Sequence, residues 1–268
     1  MKKNQRIGIL VEELTNNPSK LFEAKYFCEK MDIAKSSLSE DIRDASELFE
    51  QTGRGHIESF PGVGGGIKFV PGISKREIMQ LQDAMCEAMQ DTSRYLGGGY
   101  LYTSDIMFNG RFIKDMARIF AQKFYPLDAN YVVTVETKGI PLAAEVAFLL
   151  NIPLVVIRRE ARYSEGSTVS INYFSGSSDR IQKMSLAKRA VEPNTRAIII
   201  DDFMRGGGSL RGIKEILGEF NVETVGMGVA MTSAEPEKKR VDDYTTILIL
   251  KSDQNDENKI IITPNEGL

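Results

Sequence analysis

The stretch that most constrains this chain is residues 197–209, which read AIIIDDFMRGGGS. The apolar run Ala197–Ile200 predicts a buried strand, and Ser209 opens an amphipathic run with helical spacing up to Phe220. Two adjacent aspartates and three successive glycines stand between them. Glycines let backbone N–H groups approach a ligand, and a helix N-terminus adds positive partial charge, so this turn can hold a phosphate. Because carboxylates accept hydrogen bonds from ribose hydroxyls, a sugar phosphate is the first expected ligand.

A turn of this kind can also be a plain connection between a strand and a helix, which is the alternative for an isolated match. Here the stretch resembles the signature with which type I phosphoribosyltransferases bind phosphoribosyl pyrophosphate (PRPP). The matching positions are Asp201, Asp202, Phe203, Met204, Gly207, Gly208 and Ser209. Arg205 stands where these enzymes carry a small or acidic residue, and Gly206 stands where they carry Thr. Some enzymes of the family use that acid near the base, so the resemblance implies PRPP binding and puts catalysis in doubt.

Composition narrows the class of protein. A chain of 268 residues allows one large or two modest domains, and a hydrophobic content of 42% is ordinary for a globular protein. No apolar run approaches the roughly 20 residues that span a bilayer, and no signal-peptide core is visible, so no membrane segment is expected. The distant Cys28 and Cys86 favour free thiols over a disulfide, which predicts a cytoplasmic protein. A single histidine, His56, cannot build a histidine metal site, and no metal ligands are predicted.

The sequence pattern changes along the chain, which predicts two domains, residues 1–73 and residues 74–268. The first is helix-rich and ends in a glycine-rich hairpin, whereas residues from about 128 to 250 alternate strand and helix patterns. That alternation predicts an α/β fold with a mainly parallel sheet covered by helices on both faces. The predicted strands are Tyr131–Val135, Pro153–Ile157, Ala197–Ile200, Thr224–Ala230, Thr246–Leu250 and Lys259–Thr263. The predicted helices of this part are Ser74–Arg94, Ile140–Leu150 and Leu210–Phe220. Ligands of such sheets bind at the carboxyl ends of the strands, where the opening motif lies.

The first domain has the element order of a winged helix-turn-helix domain. A stripe over Arg6–Leu14 predicts one helix, Ser19 is the expected cap of a second, and a third would carry Leu38, Ile42, Ala45, Leu48 and Phe49 inward. The third helix starts with small and hydroxyl residues, which can enter a DNA major groove without obstruction. Two short strands around PGVGGG then predict a hairpin, the wing.

DNA binding is not the only interpretation, because a helical dimerisation domain with a hairpin flap has the same pattern. Ten basic and eleven acidic residues over positions 1–73 do not favour either. Placement favours DNA, since Lys35, Arg43, Arg54 and Lys68 lie on the third helix or the hairpin, where phosphates are contacted. The predicted DNA-contacting residues are Lys35, Ser36, Ser37, Ser39, Arg43, Arg54, Gly64 and Lys68.

A second phosphate-type turn follows an earlier predicted strand. Residues 136–141, ETKGIP, combine a glycine with Lys138 and resemble the pyrophosphate loop of the phosphoribosyltransferases, although alone such a turn is a weak signal. Arg158, Arg159 and Arg162 follow the next strand and match the basic run of these enzymes, with a solvated strand edge as the alternative. The polar stretch that continues to Lys183 suits a mobile hairpin over the site. Tyr100 and Tyr102 could stack on a ligand or simply pack.

Taken together, AKSSLSEDI, PGVGGGIKFVP, ETKGIPLA, EGSTVSINYFSGSSDRIQKMSLAKR and IIIDDFMRGGGS resemble the bacterial purine operon repressors of the phosphoribosyltransferase-like type over nearly the whole chain. The resemblance implies a homodimer that binds operator DNA and represses purine synthesis genes, with PRPP as the inducer that weakens DNA binding. It also assigns residues between 74 and about 128 to the second domain. The PRPP site is predicted at Asp201, Asp202, Phe203, Met204, Arg205, Gly206, Gly207, Gly208, Ser209, Glu136, Thr137, Lys138, Gly139, Tyr102, Arg158 and Arg159.

Two functions of different classes remain open. The first is a ligand-controlled repressor that is not an enzyme and has no catalytic cofactor, in which PRPP binds with Mg²⁺. The sequence leaves open whether a competing nucleotide effector, such as an alarmone or a purine nucleotide, shares the pocket. The second is an active phosphoribosyltransferase on a purine or pyrimidine base, against which Arg205 and Gly206 speak. A purely structural module would leave unexplained why two phosphate-type turns end two strands.

Overall fold

The computed structural model describes residues 1–94, 96, 101–160, 166–174, 181–252 and 260–268. It divides into two compact units, a front unit of Met1–Lys75 with Phe148–Asn151 and a second unit of Arg76–Ala147 with Ile152–Leu268. Within these described ranges, none of the helices has the length and apolar character needed to cross a bilayer.

The front unit is a winged helix-turn-helix, as predicted. Its elements are α1 (Lys3–Asn16), β1 (Phe22–Glu23), α2 (Ala24–Met31), α3 (Lys35–Thr52), β2 (Gly55–Phe60) and β3 (Gly66–Pro71). The strands form an antiparallel sheet in the order β1-β3-β2, in which β2 and β3 are the wing. The apolar faces of the helices pack on this sheet around Leu10, Phe27, Leu38, Phe49 and Phe69, which are all buried. Burial of these side chains is the main force that holds so small a unit together.

Two expectations for the front unit were wrong in detail. Ser19 does not cap the second helix, because it lies in the left-handed region with a φ of 57° and α2 begins only at Ala24. The residues between them pair with β3 instead, Phe22 opposite Ile67, so sheet pairing overrides the local helix pattern. Leu48 was expected to point inward, but 44% of its surface is exposed.

The second unit is an α/β structure around a six-stranded sheet. Its strands are β4 (Tyr131–Val135), β5 (Leu154–Ile157), β6 (Thr168–Phe174), β7 (Ile181–Ala187), β8 (Arg196–Met204), β9 (Glu223–Ser233), β10 (Tyr244–Ser252) and β11 (Ile260–Pro264). Its helices are α4 (Lys75–Ala88), α5 (Ser104–Met107), α6 (Gly110–Phe124), α7 (Ile140–Leu150) and α8 (Gly208–Gly218). The order is β11-β10-β9-β8-β4-β5, with only β11 antiparallel, and β6 pairs separately with β7. The predicted mainly parallel sheet is therefore confirmed.

Both faces of β9 are covered by helices, as its alternation requires. Met227 and Val229 belong to the core cluster that contains Ile213 and Ile216 of α8. The opposite face carries glycines, and a Cβ added at Gly228 would lie 2.7 Å from the Phe120 ring of α6. Glycine at this position therefore lets an aromatic helix pack closely on the sheet.

Strand β8 runs farther than expected, since it ends at Met204 and not at Ile200. The additional residues pair with β9, Asp201 opposite Val229 and Met204 opposite Thr232. The aspartate pair thus belongs to the carboxyl end of a central strand, which holds both carboxylates on a rigid element.

The remaining boundaries differ locally from the sequence prediction. Helix α4 ends at Ala88, and a separate 3₁₀ turn covers Thr92–Arg94, so the predicted single helix to Arg94 was wrong. The expected hairpin over the site exists as β6 and β7. Its connecting residues, together with Tyr100, Arg162, Lys259 and the glycines at 97–99, lie outside the described residues.

Candidate ligand cavity and nucleic-acid interface

A cavity of about 420 Å³ lies at the carboxyl ends of β4 and β8. Its volume is within the range of about 300–1,000 Å³ that is typical of small-ligand sites. Parallel strands bring their carboxyl ends to one edge of the sheet, so turns distant in sequence meet here. The lining residues are Val135, Glu136, Thr137, Lys138, Arg159, Gln182, Asp201, Asp202 and 203–210.

The two aspartates have different environments. Asp201 is buried, with 4% of its surface exposed, whereas Asp202 is half-buried. The backbone N–H of Asp202 donates to Oδ1 of Asp201 at 2.9 Å. Burial, and secondarily the neighbouring Asp202 carboxylate, raises the pKa of Asp201 well above its ordinary value. A partner that supplies positive charge or hydroxyl donors would stabilise the ionised form of this carboxyl.

The turn between β8 and α8, residues 205–209, is called here the phosphate loop. Gly207 caps α8 with a φ of 79°, a conformation that favours glycine. Because glycine has no side chain that could accept a hydrogen bond, the first turn of the helix has no side-chain cap, and its residues 208–210 line the cavity. Backbone N–H groups and the positive end of the helix dipole together suit an anion.

The second loop, Glu136–Gly139, connects β4 to α7 and contains a cis peptide bond between Glu136 and Thr137. Gly139 lies directly behind the aspartate pair, because a Cβ there would stand 2.7 Å from Oδ1 of Asp201 and 2.6 Å from Oγ1 of Thr134. The close approach of the two turns therefore depends on a missing side chain. Lys138 lines the cavity and adds a cation beside it.

The arginines that follow β5 have divided roles. Arg159 lines the cavity, and its Nη1 donates to Oε1 of Gln182 at 3.0 Å. Arg158 turns to Glu136, whose carboxylate it contacts at 3.3 Å, while the backbone N–H of Arg159 donates to the same carboxylate at 2.7 Å. Glu136 thus anchors the basic turn, and one of the two cations points into the cavity.

Most of the residues predicted for the ligand site meet in this cavity. Among the described residues, three of the predicted ones lie outside its lining. They are Gly139, which backs Asp201, Arg158, which pairs with Glu136, and Tyr102, which is 46% exposed. The cavity is also lined by three residues that the sequence did not predict: Gln182, Val135 and Leu210. Gln182 lies in β7, where successive side chains point to opposite faces. It is paired with Tyr173 of β6, whose hydroxyl donates to Oε1 of Gln182, and this pairing places the Gln182 side chain on the face of the hairpin that meets the cavity.

The residues predicted to contact DNA occupy the exposed side of α3 and the wing. Lys35, Ser39 and Arg43 are spaced by four residues and exposed, so they share one helix face, to which Ser36 adds an exposed hydroxyl. Ser37 is half-buried, and Oγ of Ser39 donates to the carbonyl of Lys35 at 3.0 Å. Helix α3 follows Ala34, whose side chain cannot accept a hydrogen bond, which leaves the first N–H groups of the helix available to a phosphate.

The wing and the support of α3 complete this surface. Arg54 and Gly64 are exposed, and the fully exposed Val63 stands at the tip of the wing. The Lys68 ammonium lies 5.2 Å from the centre of the Phe60 ring, where it remains near the wing surface. Across the core, the Arg6 guanidinium of α1 donates to the buried Asp41 of α3 at 2.6 and 2.9 Å, which fixes the orientation of the helix.

Comparison with known proteins assigns both units. The family described as "Bacterial purine repressor, N-terminal" matches residues 2–71, and the phosphoribosyl transferase domain family matches residues 104–264. The chain is 40% identical to the probable purine biosynthesis transcriptional regulator PurR of Streptococcus pneumoniae, over 92% of this chain and 90% of the relative.

This chain belongs to the PurR family of bacterial purine repressors. A second member, the purine biosynthesis transcriptional repressor PurR of Bacillus subtilis, is 38% identical over 97% of this chain and 92% of its own length. A third, the transcriptional activator PurR of Lactococcus lactis, is 34% identical over 92% of each chain. Relatives in this family are therefore named both as a repressor and as an activator.

The fold of the second unit also occurs in enzymes. Adenine phosphoribosyltransferase from Rhodothermus marinus superposes with a TM-score of 0.55 and 17% identity, over 64% of this chain and 99% of the enzyme. At this identity the likeness concerns the fold alone. The relatives from Streptococcus pneumoniae and Bacillus subtilis, which match more than 90% of this chain, are named as transcriptional regulators.

Proposed function

We propose that this PurR-family protein binds operator DNA through α3 and the wing, represses purine biosynthesis genes, and is released from DNA by PRPP. The observation that supports the PRPP assignment is the convergence of the aspartate pair and both phosphate-type turns in one cavity. PRPP carries a phosphate and a pyrophosphate on one ribose, and the cavity offers two anion sites with carboxylates between them.

The chemistry of the lining assigns each part of the ligand. The 5-phosphate accepts hydrogen bonds from the N–H groups of the phosphate loop and Ser209. The ribose hydroxyls donate to Asp201 and Asp202. The pyrophosphate lies against Thr137, Lys138 and Arg159, where two cations offset its charge.

Mg²⁺ enters this site with its ligand in the proposed function. Among the described residues, no group of three or more His, Cys, Asp or Glu side chains is arranged to hold a metal. The half-buried Asp202 carboxylate at the cavity supplies one hard oxygen donor, and the phosphate oxygens of PRPP supply the others, an arrangement that Mg²⁺ favours. The ion then neutralises the carboxylate pair as the ligand binds.

The first residue of the phosphate loop, Arg205, favours a site that binds PRPP without catalysing its transfer. Arg205 is a cation in the lining at the position where the enzymes have a small or acidic residue. A cation there adds attraction for a polyphosphate ligand and cannot accept a proton from a base. We therefore assign the cavity to an effector that is bound and not converted.

Release from DNA then follows from linkage. PRPP and operator DNA favour different states of a homodimer, so each lowers the affinity for the other by the same factor. The protein acts in the cytoplasm, where both ligands are available.

The test is a titration of a DNA fragment from upstream of a purine biosynthesis gene, with and without PRPP and Mg²⁺. We expect PRPP to weaken operator binding, and saturating operator to weaken PRPP binding by an equal factor. A PRPP affinity that operator DNA leaves unchanged contradicts the proposal. A transcription assay with the same promoter separates repression from the activation that the Lactococcus lactis relative is named for.

The alternative is an active phosphoribosyltransferase, which the match of residues 104–264 to the phosphoribosyl transferase domain family favours. It predicts nucleotide and pyrophosphate when the protein is incubated with PRPP, Mg²⁺ and each common base. Turnover with any base would make the cavity an active site.

A further inference from the structure

Part of the segment that connects β9 to β10 lies against the phosphate loop and holds its backbone. This part, residues 234–241, is called here the strap. The Lys239 ammonium donates to the carbonyls of Arg205 at 2.7 Å and Ser233 at 2.6 Å. The next residue of the strap, Arg240, donates its backbone N–H to the carbonyl of Gly206 at 2.9 Å. Two successive carbonyls of the phosphate loop are therefore directed to the strap.

The two carbonyl contacts also determine the direction of two N–H groups in the phosphate loop. The peptide bonds that follow Arg205 and Gly206 are trans, so each carbonyl and the N–H of the next residue point in opposite directions. With both carbonyls on the strap side, the N–H groups of Gly206 and Gly207 point away from the strap. The cavity lies on that side, since the loop lines it and the strap is absent from the lining that the described residues form.

We infer that Lys239 is a positioning residue for the 5-phosphate: it fixes the carbonyl of Arg205 so that the N–H of Gly206 is presented to the ligand before the ligand arrives. This inference rests on the proposed function. Consecutive N–H groups on one side of a turn form a concave anion site, and its affinity depends on holding those groups in place. Lys239 acts from outside the cavity and does not touch the ligand.

A charged side chain suits this role because Lys239 is half-buried. Burial lowers the pKa of the Lys239 ammonium, an effect that the nearby Glu235 carboxylate opposes. A charge-assisted hydrogen bond to a carbonyl is stronger than a neutral one, and loss of the donor leaves the Arg205 carbonyl without it. The Arg205–Gly206 peptide could then rotate, which would turn its N–H out of the cavity.

The test compares Lys239→Met, Lys239→Arg and Lys238→Met in the full-length protein. Calorimetry measures PRPP and inorganic pyrophosphate binding in Mg²⁺, and operator binding is measured without ligand. We expect Lys239→Met to weaken PRPP binding about tenfold and to leave pyrophosphate and operator binding unchanged. Lys239→Arg, which keeps a donor, should recover most of the PRPP affinity. Lys238 is the exposed neighbour, so Lys238→Met should match the wild type.

The outcomes separate this inference from the proposed function. If the wild type does not bind PRPP, the proposed function fails and the inference fails with it. If the wild type binds PRPP and Lys239→Met binds it equally well, the inference alone is wrong. An equal loss of PRPP, pyrophosphate and operator binding in Lys239→Met would show a general loss of structure and would also overturn it.

Discussion

The cavity of the second unit and the α3–wing surface of the front unit use charge in opposite ways. In the cavity, Asp201 is buried against Asp202, and one loop carbonyl is held by a partly buried ammonium. On the front unit, Lys35 and Arg43 are exposed side chains, each free to be screened by salt. Charges removed from water interact strongly and specifically, whereas exposed charges act weakly and additively. The cavity should therefore respond to single substitutions and the DNA surface to sums of them.

The largest effect that this contrast predicts is the loss of both cavity carboxylates. Asp201→Asn with Asp202→Asn removes two charged acceptors, so the PRPP concentration needed to release the operator should rise about 100-fold. Operator affinity without PRPP should stay unchanged. Fluorescence anisotropy of a labelled operator fragment, titrated with PRPP in Mg²⁺, measures both quantities.

The matched control is Asp242→Asn with Asp243→Asn, an adjacent pair in the same unit whose side chains are exposed. This variant should behave as the wild type. If the PRPP concentration that releases the wild type from the operator also releases the Asp201 and Asp202 variant, the assignment of the ribose hydroxyls is wrong. Buried and exposed carboxylates would then not differ in their effect on the response to PRPP.

A smaller effect is expected where the cavity depends on a missing side chain. Gly139→Ala puts a Cβ 2.7 Å from Oδ1 of Asp201 and 2.6 Å from Oγ1 of Thr134, which is too close, so the loop or the carboxylate must shift. Overpacking of this kind typically costs about 1–3 kcal/mol, and we expect PRPP binding to weaken about tenfold or more. Gly218→Ala at the end of α8, where an added Cβ meets open space, is the control and should bind PRPP normally. Equal PRPP affinities of the two variants would place the Gly139 loop away from the ligand.

The DNA surface should show effects that are individually small. Lys35→Ala and Lys68→Ala should each weaken operator binding and lower the slope of log K against log salt by about one, for one lost phosphate contact. Lys25→Ala is the control, because Lys25 is an exposed cation of α2 that pairs with Glu29. A slope in Lys35→Ala that equals the wild-type slope would show that Lys35 of α3 does not contact a DNA phosphate.

A contrast between local and distant contacts explains which parts of the molecule the sequence could predict. The phosphate loop and Asp201 lie close together in sequence, and their spacing is typical of a local turn, so the site could be predicted before the structure. Gln182 was not, because its place in the cavity depends on the pairing of β6 with β7 and on Arg159, which are distant in sequence. The strap was missed for the same reason, since Lys239 contacts a carbonyl 34 positions earlier.

The errors in the front unit have a related origin. Ser19 follows the local rule for a helix cap, and the rule fails because Phe22 gains more by pairing and packing on β3. Leu48 lies three residues after the buried Ala45, but the buried face of α3 continues through Phe49, so Leu48 stands beside that face and remains exposed. Periodicity predicts which side of a helix is apolar, and it does not predict how wide the buried part of that side is.

The smallest expected effect tests whether the buried carboxyl destabilises the fold. The raised pKa means that the folded protein binds a proton on Asp201 that the unfolded chain releases once the pH exceeds the ordinary carboxyl value of about 4. Stability is therefore lost as the pH rises from that ordinary value through the raised one, and the loss is absent at lower pH. Asp201→Asn removes this titration, so its melting temperature should exceed that of the wild type by a few degrees near pH 8 and approach it near pH 4. Asp242→Asn, at an exposed carboxyl, should show no such pH-dependent difference, and an equal shift in both variants would mean that burial of Asp201 has no special effect on its charge.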